Sequence, residues 1–353
     1  MFDQSTPRIG FACKYMHSDQ SKPKKLLEEL QRPLNTKSTT VQWLNRQTVD
    51  VAEQRLWDIM VHNINSFKEL IKYVSTLPAN RRMVRLGSDC LPVYTQQDWQ
   101  YYWQLPDVRN YCETHFARVG DIARQHDVRL SFHPGQFTVL ASDNDDIVRR
   151  SIEEFEYHAT MAKWMGYGRE FQDFKINVHI AGKRGPQGIR DAIKRLSPEA
   201  RNTLTIENDE NKWGIEHSLE LVDDCALVLD IHHHWCREGE YIWPDDDRFK
   251  RIVDSWRGIR PAMHYSYSRN EHLPDNYDHS DFPDKEALLQ AGYKKGKLRA
   301  HSDYYPNTSV NDWALQFLDT ADIMCESKCK NLASKKLYEQ AINNGHLYEK
   351  DTD

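Results

Sequence analysis

Nine side chains in this sequence share metal-ligating chemistry and a common place in a repeating pattern: His133, His179, Glu207, Asp230, His233, His264, His301, Asp303 and Glu326. Imidazole and carboxylate without thiolate suit borderline or hard divalent ions such as Mn, Zn or Mg, and carboxylates can bridge two or three of them. Clustered ions of that kind polarise a phosphate, lower the pKa of a bound water and stabilise a leaving oxygen, which is what phosphodiester hydrolysis needs. Taken singly, a histidine such as His133 or His179 near a strand end is more often a hydrogen-bonded structural residue. Glu207 in LTIEND is harder to set aside, because a carboxylate among apolar strand residues must be paired, metal-bound or solvated at the strand end. Asp230 and His233 in DIHHHW have the spacing of a turn leaving a strand, with His232 and His234 as bystanders. His158, in the helical stretch EEFEYHA, falls outside the pattern.

The pattern is set by the elements that carry these residues. Short β-branched or apolar runs recur at RIGFAC (8–13), MVRLGS (83–88), RLSFHP (129–134), KINVHI (175–180), LTIEND (204–209), ALVLDI (226–231), AMHYSY (262–267) and DIMCES (322–327). Between them, Thr48 to Val74, Val108 to His126, Asp145 to Met165 and Pro186 to Leu196 repeat apolar positions at helical spacing. Asp145 and Asp146 open one of these helices with the negative charge favoured in a first turn. Eight strands alternating with helices predict an α/β fold, a (β/α)8 TIM barrel, formed as one domain over residues 1–353. The candidate ligands then fall at the carboxyl ends of the strands, which converge on one mouth however far apart they lie in sequence. Two segments look inserted, 14–47 after the first strand and a polar connection at about 268–300 after the seventh. In a barrel, loops after strands lie on the catalytic face.

Composition narrows the class further. The chain has 353 residues, 39% hydrophobic and 28% charged, as expected of a well-solvated globular protein. No stretch approaches the ~18 apolar residues of a membrane span, and Met1 to Thr6 lacks a signal-peptide pattern. An intracellular location is expected, cytoplasmic for a prokaryotic or phage host and nuclear or mitochondrial for a eukaryotic one. Seven scattered cysteines with no CxxC pair predict reduced, structural thiols, although Cys325 and Cys329, four apart, could form a ligand pair. A net charge of -6 argues against nucleic-acid binding by the whole surface but permits a local basic cleft. Lys294, Lys295, Lys297 and Arg299 next to Tyr293, Tyr304 and Tyr305 mix phosphate-binding and base-stacking chemistry, while a solvated loop is the commoner fate of such a run.

The ordered set RIGF, HPGQF, NVH, IEND, DIHHH, MHYS, HSDY and DIMCESKCKNLA over residues 8–336 resembles the UV damage endonuclease family, as do NTKSTTVQW (35–43) and VRLGSDCLP (84–92). The resemblance implies a barrel related to endonuclease IV, acting as a monomer on damaged double-stranded DNA. It would nick 5′ to UV photoproducts and abasic sites, leaving 3′-hydroxyl and 5′-phosphate ends, with two or three divalent ions, often Mn. By that likeness His133, His179 and Glu207 would hold one ion, and Glu207 would bridge to a second held by Asp230, His264 and Glu326. His233, His301 and Asp303 would hold the third. Glu207, Asp230, His233 and Glu326 form the implied catalytic set. Gln136 and Phe137 stand where the family inserts a Gln and an aromatic into the duplex, a wedge whose unstacking cost is lowest at damaged DNA. Phe11, Tyr15 and Lys183 are further implied contacts to lesion or phosphate. Phe11 and Phe137 stand where a tyrosine can occur, and Tyr15 where a small polar residue is expected. Ala262 replaces a lysine two residues before His264 that in the family can be carboxylated near the metals.

Two other readings fit the same residues. A metal-dependent sugar isomerase uses the same barrel and ligand types, and differs by a closed pocket without a wedge-bearing groove. A non-catalytic damage-binding relative would keep the barrel and lose an ion, as Ala262 hints; the intact set His133, His179, Glu207, Asp230, His264 and Glu326 argues against it.

Overall fold

The computed structural model describes residues 2–274, 278 and 280–348, so that 275–277 and 279 of the predicted insertion, with the chain ends, lie outside the described residues. Its strands are β1 (Ile9–Ala12), β2 (Met83–Arg85), β3 (Arg129–Phe132), β4 (Lys175–His179), β5 (Leu204–Glu207), β6 (Ala226–Val228), β7 (Ala262–Tyr265) and β8 (Asp322–Cys325). They pair in parallel in the order β6-β5-β4-β3-β2-β1-β8-β7, one sheet of eight strands. The ring closes between β6 and β7, where His264 N donates to Leu229 O at 2.9 Å and Asp230 bridges His264. This is the (β/α)8 barrel expected from the alternation of elements.

Parallel strands covered on both faces read as near-continuous apolar runs, and most of these do. β4 departs from that rule. Its Lys175, Asn177 and His179 share one face by the two-residue period of a strand, and that face looks into the barrel. The outer faces pack under the helices Val49–Ser75, Pro106–Gln125 and Asp145–Trp164, with Phe132 tilted against Phe67 and Phe174 at centroid distances of 6.3 and 5.3 Å. Gly120 is required in that layer, because a Cβ there would lie 1.8 Å from Met165 O. Asn144 caps the helix Asp145–Trp164, its side chain accepting from Asp146 N and Ile147 N at 2.9 and 3.2 Å, and Asp145 and Asp146 lie in its first turn as expected.

At the amino ends of the strands the barrel is plugged by charge. Asp322 accepts from Arg8 N at 2.9 Å, Arg129 Nη1 at 2.7 Å and Arg260 Nε at 2.7 Å, and Arg129 lies over the rings of Phe2 and Trp256. At the opposite end, the two insertions leave the barrel after β1 and β7. Residues 14–47 carry the short helices Lys24–Gln31 and Val41–Leu44. The 268–300 connection is less irregular than its polar sequence predicts. It holds helices at Lys285–Gln290 and Lys295–Leu298, and its ends are pinned by Arg269 N donating to Ala300 O at 3.0 Å and Ser302 N to Tyr267 O at 2.8 Å.

Candidate active site

The carboxyl ends of the strands bring most of the predicted ligands into one cluster centred on Glu207, the last residue of β5. Its Oε1 lies 3.0 Å from His264 Nδ1 and 3.4 Å from His233 Nδ1, and its Oε2 lies 3.4 Å from His133 Nε2 and 3.7 Å from His179 Nε2. Four three-donor groups, each within 4.8 Å, overlap there: His133/His264/Glu326, His133/His179/Glu207, His179/Glu210/His233 and Glu207/Asp230/His233. Burial opposes ionisation of Glu207, yet the imidazoles of His264 and His179 outweigh it and hold the carboxyl well below its usual range.

Local folding explains how Asp230 and His233 come together. Asp230 follows β6 and caps the helix Ile231–Glu238, its Oδ1 accepting from His233 N at 2.7 Å. Its other oxygen, Oδ2, is buried and has no hydrogen-bond partner, 3.7 Å from His233 Nδ1. Burial pushes the Asp230 carboxyl well above its ordinary value. On His233 burial disfavours charge, but Asp230, Glu207 and Glu210 prevail and push its pKa up to about 9. The two flanking histidines face elsewhere. His232 sits between Ser266 Oγ and Ser268 Oγ at 3.0 and 3.2 Å, and His234 pairs with Glu240 at 2.9 Å.

His301 lies close enough to the cluster for the charges of Glu326 and His233 to act on it. His301 is half-buried and bridged to Ser268, Asp303 is exposed, and neither joins a three-donor group among the described residues. Cys325 and Cys329 form no such group either; Cys325 is buried and both are free thiols.

Several neighbours of the cluster escape a reading by motif. Lys175 and Asn177, both inside the barrel on β4, meet it from below: Lys175 Nζ lies 2.8 Å from His264 Nε2, and Asn177 Nδ2 donates to Glu207 Oε2. Asn177 is in turn held by Thr205 Oγ1 at 2.8 Å. Burial lowers the Lys175 ammonium to about 7 and the His264 imidazole to about 4. Arg85, at the end of β2, pairs with Glu326, and Asn208 exchanges hydrogen bonds with the backbone of Asp230 at 2.8 and 3.0 Å. Glu210, three residues beyond Glu207, faces His233 Nε2 at 3.8 Å. Polar residues at alternate positions of KINVH were the available signal for Lys175 and Asn177; their partners across the barrel were not.

The sequence matches the UV-endonuclease UvdE family over residues 7–346. The chain belongs to that family. A UV DNA damage endonuclease of Bacillus velezensis is 26% identical over 216 residues, 59% of this chain and 64% of that protein, so this alignment spans under two thirds of the relative. Another of that name, from Bacillus cereus strain G9842, is 24% identical over 300 residues, 82% of this chain and 83% of the relative. The crystal structure of SacUVDE shares the fold, with a TM-score of 0.71 at 20% identity over 97% of this chain and 100% of that one.

Within this UvdE-family barrel the implied DNA-contact residues take different places. Phe137 is 85% exposed, on a ridge with Gln136 beside His133 and His179. Lys183 is exposed and paired with Asp143 at 2.8 Å. Phe11, only 1% exposed, is packed in the main core, so a stacking contact with a lesion is replaced by a packing role. Tyr15 is half-buried, edge-on to Tyr73 at 4.8 Å, with its backbone held by Asn35. Ala262 is buried with Ala226, Val228 and Trp256 at the start of β7. The barrel nevertheless places a lysine beneath His264, and it comes from β4 as Lys175. No helix among the described residues is long and apolar enough to cross a membrane.

Proposed function

We propose that this chain is a metal-dependent endodeoxyribonuclease of DNA repair, a single-domain barrel acting as an intracellular monomer on damaged double-stranded DNA. It incises 5′ to UV photoproducts and abasic sites, leaving 3′-hydroxyl and 5′-phosphate ends. One observation carries the reading: a carboxylate shared by four imidazoles, Glu207 amid His133, His179, His233 and His264, opens beside a ridge bearing the exposed Phe137.

The donor set fits divalent ions. A buried carboxylate oxygen with no partner, Asp230 Oδ2, is unfavourable unless a cation completes it. His133, His179 and Glu207 would hold one ion, and Glu207 with Asp230, His264 and Glu326 a second; oxygen and nitrogen donors alone leave Mn, Zn and Mg as candidates. Bound there, such ions would supply Lewis acidity to a phosphodiester.

The side chains do the positioning. Asn177 fixes the Glu207 carboxylate, Arg85 orients Glu326, and Asp230 orients the helix that carries His233. Glu207, Asp230, His233 and Glu326 form the catalytic set. Gln136 and Phe137 wedge into the duplex at the lesion, where unstacking costs least, and so select damage without reading a base code. The ridge is open on both sides, to a pocket of ≈ 290 Å³ toward His133 and His179 and a groove of ≈ 1030 Å³ toward Thr95, Gln100 and Arg150. That shape favours a polymer over the enclosed sugar of an isomerase.

The test is incision of end-labelled duplexes carrying a defined photoproduct or abasic site. Cleavage with Mn, its loss with EDTA and recovery on adding Mn back are expected. Intact duplex in the presence of Mn, Zn and Mg alike would remove the proposal.

A further inference from the structure

His233 presents its two ring nitrogens to two different surroundings. Nδ1 lies 3.1 Å from the backbone carbonyl of Asn208, an oxygen that can only accept, so Nδ1 carries a proton in that bond. A backbone carbonyl holding one imidazole N–H is the usual device for leaving the other nitrogen free to bind a metal. That other nitrogen, Nε2, points away from Glu207 and toward Glu210 Oε2, 3.8 Å away. His179 closes the group from the side, its ring centroid 5.2 Å from that of His233.

Glu210 is itself held ready. Its Oε1 accepts from Arg299 Nη1 at 3.0 Å, while Oε2 faces His233. Arg299 belongs to the 268–300 insertion, so this ion pair ties the insertion to the mouth. Glu210 also lines the ≈ 290 Å³ pocket beside Gln136 and Phe137, which places it on the open side of the cluster. His133 makes an instructive comparison. Its Nδ1 is likewise bonded to a carbonyl, Pro134 O at 2.9 Å, and its Nε2 faces Glu207. The two histidines are built alike but serve opposite sides of His179.

We propose that Glu210 is a metal ligand, which with His233 Nε2 holds a divalent cation on the outer side of the cluster and exchanges Arg299 for it. His179 belongs to both this group and the one with His133 and Glu207, so the two ions would compete for it. The outer ion therefore keeps positions for water or a phosphate oxygen, and binds more weakly than the inner ones. The inference rests on the metal-dependent reading above and adds Glu210 to the side chains, His233, His301 and Asp303, that the family resemblance gives to a third ion.

The test measures Mn(II) binding to the full chain by calorimetry and by electron paramagnetic resonance of free Mn(II). Glu210→Gln is expected to lose the weaker class of sites, or to weaken it by about tenfold or more, while the tighter class stays. Arg299→Met should tighten the weaker class by removing its competitor. Direct ligation is read from Glu210→Cys titrated with Cd(II): a new ultraviolet thiolate-to-metal band, beyond that of the unsubstituted chain, should appear and be lost when His233→Ala is added. Unchanged Mn(II) binding in Glu210→Gln together with no new Cd(II) band overturns the proposal. Glu207→Gln separates the two levels. If it strips the tight sites while Glu210→Gln changes nothing, only the outer ligand is wrong; if neither affects Mn(II) binding, the metal reading itself falls.

Discussion

The two ends of this barrel are both charged and both buried, and they are built on opposite plans. At the amino ends of the strands three guanidiniums surround one carboxylate: Arg8, Arg129 and Arg260 converge on Asp322, with backbone carbonyls of Thr6, Pro261 and Ala321 taking remaining protons. Apart from Arg8 Nε, this end is satisfied by the chain itself. At the carboxyl ends, Glu207, Asp230 and Glu326 crowd together with four imidazoles, and Asp230 Oδ2 is left without a partner. A closed network of buried charge specifies and holds structure, whereas one left incomplete carries a cost that the chain itself does not offset. On the proposed function, the difference separates the end that holds the fold from the end that does the chemistry.

Substitutions at the two ends should therefore fail in different ways. The largest effect is expected at the open end. Glu207→Gln should lower incision of UV-irradiated duplex by about 10²–10³-fold or more, with damaged-DNA binding largely retained by gel shift. Equal loss of binding and incision would mean that Glu207 builds the surface rather than the chemistry. At the closed end, Asp322→Ala strands three buried guanidiniums and should cost about 3–5 kcal/mol in urea unfolding. Mn(II) content per folded molecule should not change, and a loss of metal without a loss of stability would erase the contrast between the ends.

Lys175 lies between the two and sharpens the comparison through pH. Its folded-state pKa, lowered by burial to about 7, is below the ordinary lysine value of 10.5 that the unfolded chain keeps. Between those values the unfolded chain holds a proton that the folded one has released, so stability falls as pH drops from about 10.5 toward 7 and this slope ends below 7. The group contributes about 1.4 kcal/mol per pH unit within that window. Lys175→Met in EDTA-treated protein should thus be more stable than the parent at pH 7, with the difference shrinking toward pH 10. An equal offset at every pH would assign the effect to packing. The smallest effect is expected at the ridge. Phe137→Ala should leave Mn(II) binding and fold intact and weaken binding to lesion-bearing duplex by about 1–3 kcal/mol, a stacking contribution. If undamaged duplex lost as much, Phe137 would not be a wedge.

Much of this was legible in the sequence. Each of the eight runs marked from RIGFAC to DIMCES contains a strand, because a buried parallel strand needs a short apolar stretch wherever it lies. The helix read over Asp145 to Met165 is found at Asp145–Trp164, and Thr48 to Val74 at Val49–Ser75, since amphipathic repeats fix helices to within a residue or two. His133, His179, Glu207, Asp230, His233, His264 and Glu326 could be grouped from strand ends alone, because parallel strands in a barrel send all their carboxyl ends one way.

The sequence by itself thus determined at which end of the barrel the metal-competent side chains gather and which residue types meet there. Only the tertiary structure decided what each of them faces. Motifs put Ala262 where a lysine is missing, yet Lys175 reaches His264 from β4, a contact across the barrel that no local spacing encodes. The resemblance gives His233 to an ion shared with His301 and Asp303, and only the fold adds that the carbonyl of Asn208 leaves the free nitrogen of His233 facing Glu210. Strand register fixes the height of a side chain by a period of two residues, but its partner is set by closure of the ring, which joins positions such as Leu229 and His264 that are distant in the chain.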